Sequence, residues 1–171
     1  MNRPTLQAGG PGLGTAERAL ELAYGFLARR ERTVSEVHAH LLGHDIDEAA
    51  AALAVEELVE QGYLDDARFA RLFVQDKRAL EQWGSERIRR ALAVRGIDRE
   101  LADATLAPDD AVGEQPSELD RALHLLRQRF PSPPQGRRER ERALGLLLRK
   151  GYEPELALEA LQVHGRGHDD A

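Results

Sequence analysis

The sequence predicts an all-helical protein of three successive three-helix groups, and three observations support that prediction. Ala, Leu, Glu and Arg dominate the chain, and these residues lose little rotamer freedom in a helix. Apolar residues recur at spacings of three and four nearly throughout. A helix-stop pattern also returns twice: Leu41-Leu42 before Ile46-Asp47, Leu92-Ala93 before Ile97-Asp98, and Leu147-Leu148 before Tyr152-Glu153. Ile46, Ile97 and Tyr152 are 51 and 55 residues apart, a period that suits a helical repeat. Each time a helix stops near a glycine, an apolar residue covers its last turn, and an acid or proline starts the next.

Residues 1–14, with Gly9, Gly10, Pro11, Gly12 and Gly14, read as a disordered tail. They lack the preceding strand and the Gly-Lys-Ser/Thr ending of a phosphate loop. The first repeat spans 15–62. Its first helix runs from Thr15 to Arg30 on the stripe Leu20, Ala23, Tyr24 and Leu27. Thr33 and Glu36 form a capping box for the second, which carries Val37 and Leu41 and ends at a left-handed Gly43. Asp47 caps the third, which carries Leu53, Val55, Leu58 and Val59 to Gly62. In the second repeat, 63–107, Asp65 or Asp66 opens a helix with Phe69, Leu72, Phe73 and Leu80 inward. Gly84 breaks the chain, a helix with Ile88, Ala91 and Leu92 ends at Gly96, and Asp98 caps a helix carrying Leu101 and Leu106. Residues 108–116 read as a linker. The third repeat, 117–164, starts with a Ser117–Asp120 capping box and the stripe Leu119, Leu123, Leu126 and Phe130. Leu144, Leu147 and Leu148 mark its second helix, ending at Gly151, and Leu156, Ala160 and Leu161 its third. Residues 165–171 read as a frayed tail.

With no cysteine in the sequence, disulfides, thiolate metal sites and cysteine nucleophiles are excluded. No apolar run approaches the roughly 20 residues that cross a bilayer, and the start does not read as a signal peptide, so the expected location is the cytoplasm. The formal net charge is −6, with 32% charged residues. From Glu31 to Asp66 ten acids face one base, Arg32, whereas from Pro116 to Lys150 nine bases face four acids. The predicted molecule is acidic in front and basic behind.

The middle of the chain reads Tyr63-Leu64-Asp65-Asp66-Ala67-Arg68-Phe69-Ala70-Arg71-Leu72-Phe73-Val74, followed by Gly84 and Arg87-Ile88. This resembles the signature of the RecX family: a leucine, two acids, Arg-Phe-Ala and Phe-Val, then Gly-x-x-Arg-Ile. Leu27-Ala28-Arg29-Arg30-Glu31, Ser35-Glu36 and Leu41-Leu42 fit as well. The resemblance implies three tandem three-helix repeats in an elongated, curved arrangement. It implies a negative regulator of the RecA recombinase that binds the RecA filament on single-stranded DNA and inhibits ATPase, strand exchange and co-protease activity. Two features depart from the family pattern: Ser85 and Glu86 stand where it often has proline or a base after the glycine, and the net charge is acidic. Both place RecA contact ahead of direct DNA contact, which is expected to be weak. The expected protein is a monomer without membrane association.

Leu64, Asp65, Asp66, Arg68, Phe69, Phe73, Gly84 and Ile88 are expected to be structural, as caps and core. The candidate contacts to RecA or its filament are Arg71, Lys77, Arg78, Arg87, Arg90, Arg95, Arg138, Arg142, Arg149 and Lys150, which could neutralise phosphates or an acidic partner face. Glu36, Arg87 and Arg142 are equivalent in the repeat alignment. The bland alternative for the arginines is a solvated face paired with Glu86, Glu139 and Glu141. Trp83 is expected to cover a join between repeats. His40 and His44 have i, i+4 spacing, but Gly43 intervenes and no third ligand follows, so neither metal nor cofactor is expected. No nucleophile–base arrangement stands out, so an enzyme is not expected. Two other readings are a helix-turn-helix-like DNA-binding module and a protein-interaction scaffold without nucleic acid.

Overall fold

The computed structural model describes residues 13–107 and 116–166, so the predicted first tail up to Gly12, most of the linker and the last five residues lie outside it. Among the described residues there are nine helices and no strand. They are α1 (Leu13–Leu27), α2 (Val34–Leu42), α3 (Glu48–Glu60), α4 (Asp66–Glu81), α5 (Ser85–Val94), α6 (Arg99–Leu106), α7 (Glu118–Arg129), α8 (Gly136–Lys150) and α9 (Pro154–Arg166). Two compact units result: residues up to Phe69 with Arg95–Ile97, and Ala70–Val94 with the chain from Asp98 onward.

In the first unit α1, α2 and α3 pack on one another around Ala19, Ala23, Val37, Leu41, Ala50, Ala51, Ala54, Val55 and Leu58. Much of this core is alanine, which lets helices approach closely. Leu53 and Val59, expected on the inner side of α3, are exposed because the alanines occupy that face. Tyr24 is likewise exposed, its hydroxyl donating to Gln61 Oε1 at 2.7 Å. α1 ends at Leu27 rather than Arg30, since Ala28, Arg29 and Arg30 are exposed and have no apolar face to bury.

Thr33 is the N-cap of α2 and is fully buried. Its Oγ1 accepts from the Glu36 amide at 3.1 Å and donates to the Arg95 carbonyl at 2.6 Å, and Glu36 accepts the Thr33 amide in return. Thr33→Val keeps the shape but loses the cap and the buried bond. The expected cost is about 2 kcal/mol, read from the chemical denaturation midpoint, and an unchanged midpoint would contradict it. Gly43 is right-handed at φ −66°, correcting the expected left-handed cap; Asp45, at φ 60°, makes the left-handed step instead. Asp and Asn tolerate that region because the short polar side chain bonds locally.

His40 stacks on Phe26 with ring centroids 3.9 Å apart, and the Arg32 guanidinium lies 3.8 Å from the Phe26 centroid. Burial, then the neighbouring His44 and Arg32, holds His40 below its ordinary pKa. The folded state therefore takes up a proton less readily than the unfolded chain. This stabilisation is complete above the unfolded pKa, about 6.5, and is lost as pH falls. The denaturation midpoint is expected to drop between about pH 7.5 and about pH 5.5, and to drop less in His40→Phe. Equal pH slopes for the two proteins would rule His40 out as the cause.

In the second unit α7, α8 and α9 enclose Leu123, Leu125, Leu126, Ala143, Leu147, Tyr152, Ala157 and Ala160. α5 packs on α6. The buried stripe of α4 is centred on Ala70 and Val74. At about 100° per residue Leu72 then falls on the opposite side and Leu80 off the edge, so both are exposed rather than inward. Leu148 is also exposed. α9 runs on to Arg166, two residues beyond the predicted repeat end, and the buried His164 near its end donates from Nε2 to the Phe130 carbonyl at 2.9 Å.

Ile46, Ile97 and Tyr152, the periodic positions, are all buried. Leu41, Leu92 and Leu147, each five residues before one of them, are fully buried. A junction recurs with the same register. In the first unit the Thr33 cap meets the carbonyl of Arg95, next to Gly96. In the second the Gly84 amide donates to the carbonyl of Lys150, next to Gly151, at 2.9 Å, and the Glu86 amide donates to Gly151 at 3.1 Å.

Candidate functional site: a cationic surface on the second unit

The family-signature residues lie mostly in packing and capping positions. Leu64 and Ile88 are core. Asp65 accepts the Arg68 amide at 2.8 Å, so it is the acid that caps α4, while Asp66 Oδ1 accepts the Val34 amide at 2.9 Å and ties α4 to the start of α2. Arg68 reaches Glu31 at 3.5 Å. Phe69 is buried, with the Arg95 guanidinium 5.6 Å from its ring centre. Phe73 and Trp83 meet in a T-shaped arrangement with ring centroids 6.5 Å apart, and Gly84 is buried in the junction with Gly151.

The candidate contact residues separate into groups. Trp83 stands between two cations, Lys77 Nζ at 4.8 Å and the Arg87 guanidinium at 4.1 Å from its ring centre. Contacts of this kind are worth about 0.5–1 kcal/mol when exposed, so they orient the side chains without neutralising them; Lys77 is neutralised instead by its ion pair with Glu81, whereas Arg87 has no carboxylate partner among the described residues. Arg87 is the third residue of α5, as Glu36 is of α2. Glu36 pairs with Arg95 at 2.8 Å, whereas Arg87 reaches the Arg149 carbonyl at 3.1 Å. Arg149 joins Arg142, Arg129, Phe130 and Leu146 around a shallow cavity of about 350 Å³. Lys150 Nζ is bound to the Glu81 carbonyl at 2.6 Å. α8 begins earlier than its counterparts, so Arg142 is its seventh residue, though it too stands five positions before a buried leucine.

Lys77, Trp83, Arg87, Arg149, Arg142 and Arg129 thus form a linked cationic set within the second unit. Among the described residues no ion pair involves Arg71, Arg87, Arg138, Arg142 or Arg149. Of the carboxylates expected to neutralise the arginines, Glu86 does pair with Arg90, as the bland alternative has it, while the others are engaged elsewhere. Glu86 pairs with Arg89 and, at 3.9 Å, with Arg90; Glu141 pairs with Arg137 at 2.8 Å; Glu139 accepts the Gln135 amide at 2.7 Å. Arg71, Arg90 and Arg138 are exposed but not linked to the set among the described residues, and Arg95 and Arg78 lie apart from it. Arg95 belongs to the first unit and pairs with Glu36. Arg78 is half-buried, its Nη2 donating to the Leu106 carbonyl at 2.9 Å.

Sequence reasoning passed over Arg129, which lines the cavity with Arg142 and Arg149, and over Arg121, His124 and Arg127 on α7. The last three recur every three residues, and that spacing was the available signal. Among the described residues no group of three potential ligands could hold a metal ion, and no helix is long and apolar enough to cross a membrane.

Tandem three-helix groups with a cation-rich face define an all-helical repeat protein. Residues 19–58 match the family description "RecX, first three-helix domain", and residues 65–106, which cover α4 to α6, match "RecX, second three-helix domain". Over 135 residues the chain is 35% identical to a regulatory protein RecX of Xanthomonas axonopodis pv. citri, covering 78% of this chain and 80% of that one. Against a regulatory protein RecX from a Mycobacterium species the identity is 29% over 174 residues, covering 96% and 93%. A relative of the same description from Lactobacillus delbrueckii is 43% identical over 90 residues, but only a third of its length is covered. The crystal structure of RecX from Lactobacillus salivarius superposes with a TM-score of 0.73 at 20% identity, covering 87% of this chain and 96% of that one, which establishes likeness of fold. The chain belongs to the RecX family of regulatory proteins.

Proposed function

We propose that this protein is a negative regulator of the RecA recombinase that acts in the cytoplasm by binding the RecA filament on single-stranded DNA. It thereby lowers ATPase, strand-exchange and co-protease activity, without chemistry of its own. The observation that carries the reading is the cationic set around Trp83, Arg87, Arg142 and Arg149, whose arginines lack carboxylate partners among the described residues. Such a face suits phosphates or an acidic protein surface, and several weak contacts add up when made together. Family membership supports RecA as the partner, and the relatives' shared description as regulatory proteins supports control rather than catalysis.

The test is the single-stranded-DNA-dependent ATPase of the cognate RecA, with the full chain titrated in below stoichiometry. The wild type is expected to inhibit at low ratios. Combined Arg87→Glu, Arg90→Glu, Arg138→Glu and Arg142→Glu substitutions are expected to raise the half-inhibitory concentration at least about tenfold. All four side chains are exposed, so the melting curve should stay close to wild type. Inhibition unchanged by the four reversals would remove this surface from the mechanism. An ATPase indifferent to excess wild type would remove the regulatory reading itself.

A further inference from the structure

A second cationic feature of the same unit stands apart from that surface. A cavity of about 440 Å³ opens among Arg78 of α4, Arg121, His124 and Arg127 of α7, and Tyr152. The one carboxylate in its wall, Asp120, is already held by the Ser117 amide at 3.0 Å and the Ser117 hydroxyl at 2.7 Å. Three guanidiniums and an imidazole therefore line a single small space, with one engaged acid among them.

Part of this cationic lining is anchored to the backbone. Arg78 uses Nη2 on the Leu106 carbonyl and Arg121 uses Nη1 on the Pro116 carbonyl. The Nε atoms of both are buried and have no partner. Leaving a buried donor unpaired costs about 1–3 kcal/mol, more when it is charged, and it is the lining by Arg78, Arg121 and Arg127 that suits an anion. Gln128 spans from His124 Nε2 at 2.9 Å to Gln82 at 2.8 Å, and Tyr152 donates to the Gln82 carbonyl at 3.4 Å. This polar wall is held in place by its own bonds. Burial pushes the Tyr152 phenol up to about 12, so it remains protonated and able to donate.

We propose that this cavity is a binding site for a phosphate group carried by a larger organic molecule, a phosphate monoester or diester. Guanidinium forks match phosphate oxygens two at a time, and the volume lies within the range of small-ligand sites, with room beyond the phosphate itself. The phosphate has two sources with the same chemistry, a free nucleotide or the backbone of a nucleic-acid strand. The inference goes beyond the regulatory reading and needs no RecA for its test.

Calorimetry on the full chain would use inorganic pyrophosphate, adenosine monophosphate and a single-stranded oligothymidine, with sodium chloride at matched ionic strength as the blank. Saturable binding of pyrophosphate or the nucleotide is expected, weakened at least about tenfold by Arg127→Gln or Arg121→Gln and left alone by Arg18→Gln, an exposed position on α1. Arg127 is exposed and makes no side-chain bond among the described residues, so its variant should fold even if Arg121→Gln does not. Binding of the oligonucleotide alone, with the same dependence on Arg127, would keep the site and assign the phosphate to nucleic acid. No binding of any probe, or binding that Arg127→Gln leaves unchanged, would overturn it.

Discussion

Gly84→Ala is expected to destabilise the second unit by about 3 kcal/mol or more, at the upper end of what one added methyl costs in a packed interior. An added Cβ would stand 2.5 Å from the carbonyl carbon of Gly151 and 2.5 Å from the amide nitrogen of Tyr152. Both are backbone atoms, so no side-chain rotation makes room. The reciprocal position is as tight: Gly151 is left-handed at φ 90°, and a Cβ there would collide with Arg87. Relief requires the start of α5 to back away from the end of α8. That breaks the Gly84-to-Lys150 and Glu86-to-Gly151 hydrogen bonds and uncovers Tyr152. Gly25→Ala is the control, since nothing lies within 4 Å of its Cβ position in α1, and it should stabilise by about 0.5–1 kcal/mol. Amide hydrogen exchange on the two variants would show the effect. If Glu86 and Tyr152 kept wild-type protection in Gly84→Ala, the close approach would not be what it is described to be.

The second large effect separates two neighbouring leucines. Leu147 is fully buried against Leu125, Leu126 and Tyr152, whereas Leu148 is 40% exposed. Leu147→Ala is expected to cost about 3 kcal/mol, because removed methyl groups leave a cavity that close-packed neighbours fill only in part. Leu148→Ala is expected to change stability by less than about 1 kcal/mol, since it forfeits only partly buried surface. Urea denaturation of both variants, compared at the midpoint, decides this, and equal costs would mean that α8 is rotated from the orientation described.

Those two leucines illustrate what the sequence could reveal. The helix starts were legible because a cap acts locally: Thr33, Asp47, Asp98 and Ser117 each bond an amide three residues on. The glycine stops at 62, 96 and 151 were legible for the same reason, being left-handed turns of a single residue. Which face of each helix is buried was less legible. Alanine is a good helix former on either side, so Ala50, Ala51 and Ala54 could claim the inner face of α3 from Leu53 and Val59 without a signal in the apolar pattern. On α4 the same substitution of small for large moved the buried stripe onto Ala70 and Val74.

The candidate site was legible only as a list of cations. Which of them share a surface depends on pairings across 60 or more residues, such as Arg87 with the Arg149 carbonyl, and local spacing does not encode those. Arg78 and Lys77 are adjacent in sequence, yet one lines the cavity of Arg121 and Tyr152 while the other faces Trp83. A charge count assigns them to one patch, and the helix turn between them sends them to two.

The recurring junction also bears on the order of events as the chain leaves the ribosome. Thr33 completes its bonding only with the carbonyl of Arg95, and Gly84 only with that of Lys150, each more than sixty residues later. Synthesis therefore runs ahead of closure. α2 emerges with an unfinished end and waits for the segment after α5, and α5 emerges and waits for the segment after α8. A nascent chain halted before Arg95 would expose a buried hydroxyl and the start of a helix to chaperones and proteases, even with α1, α2 and α3 all made.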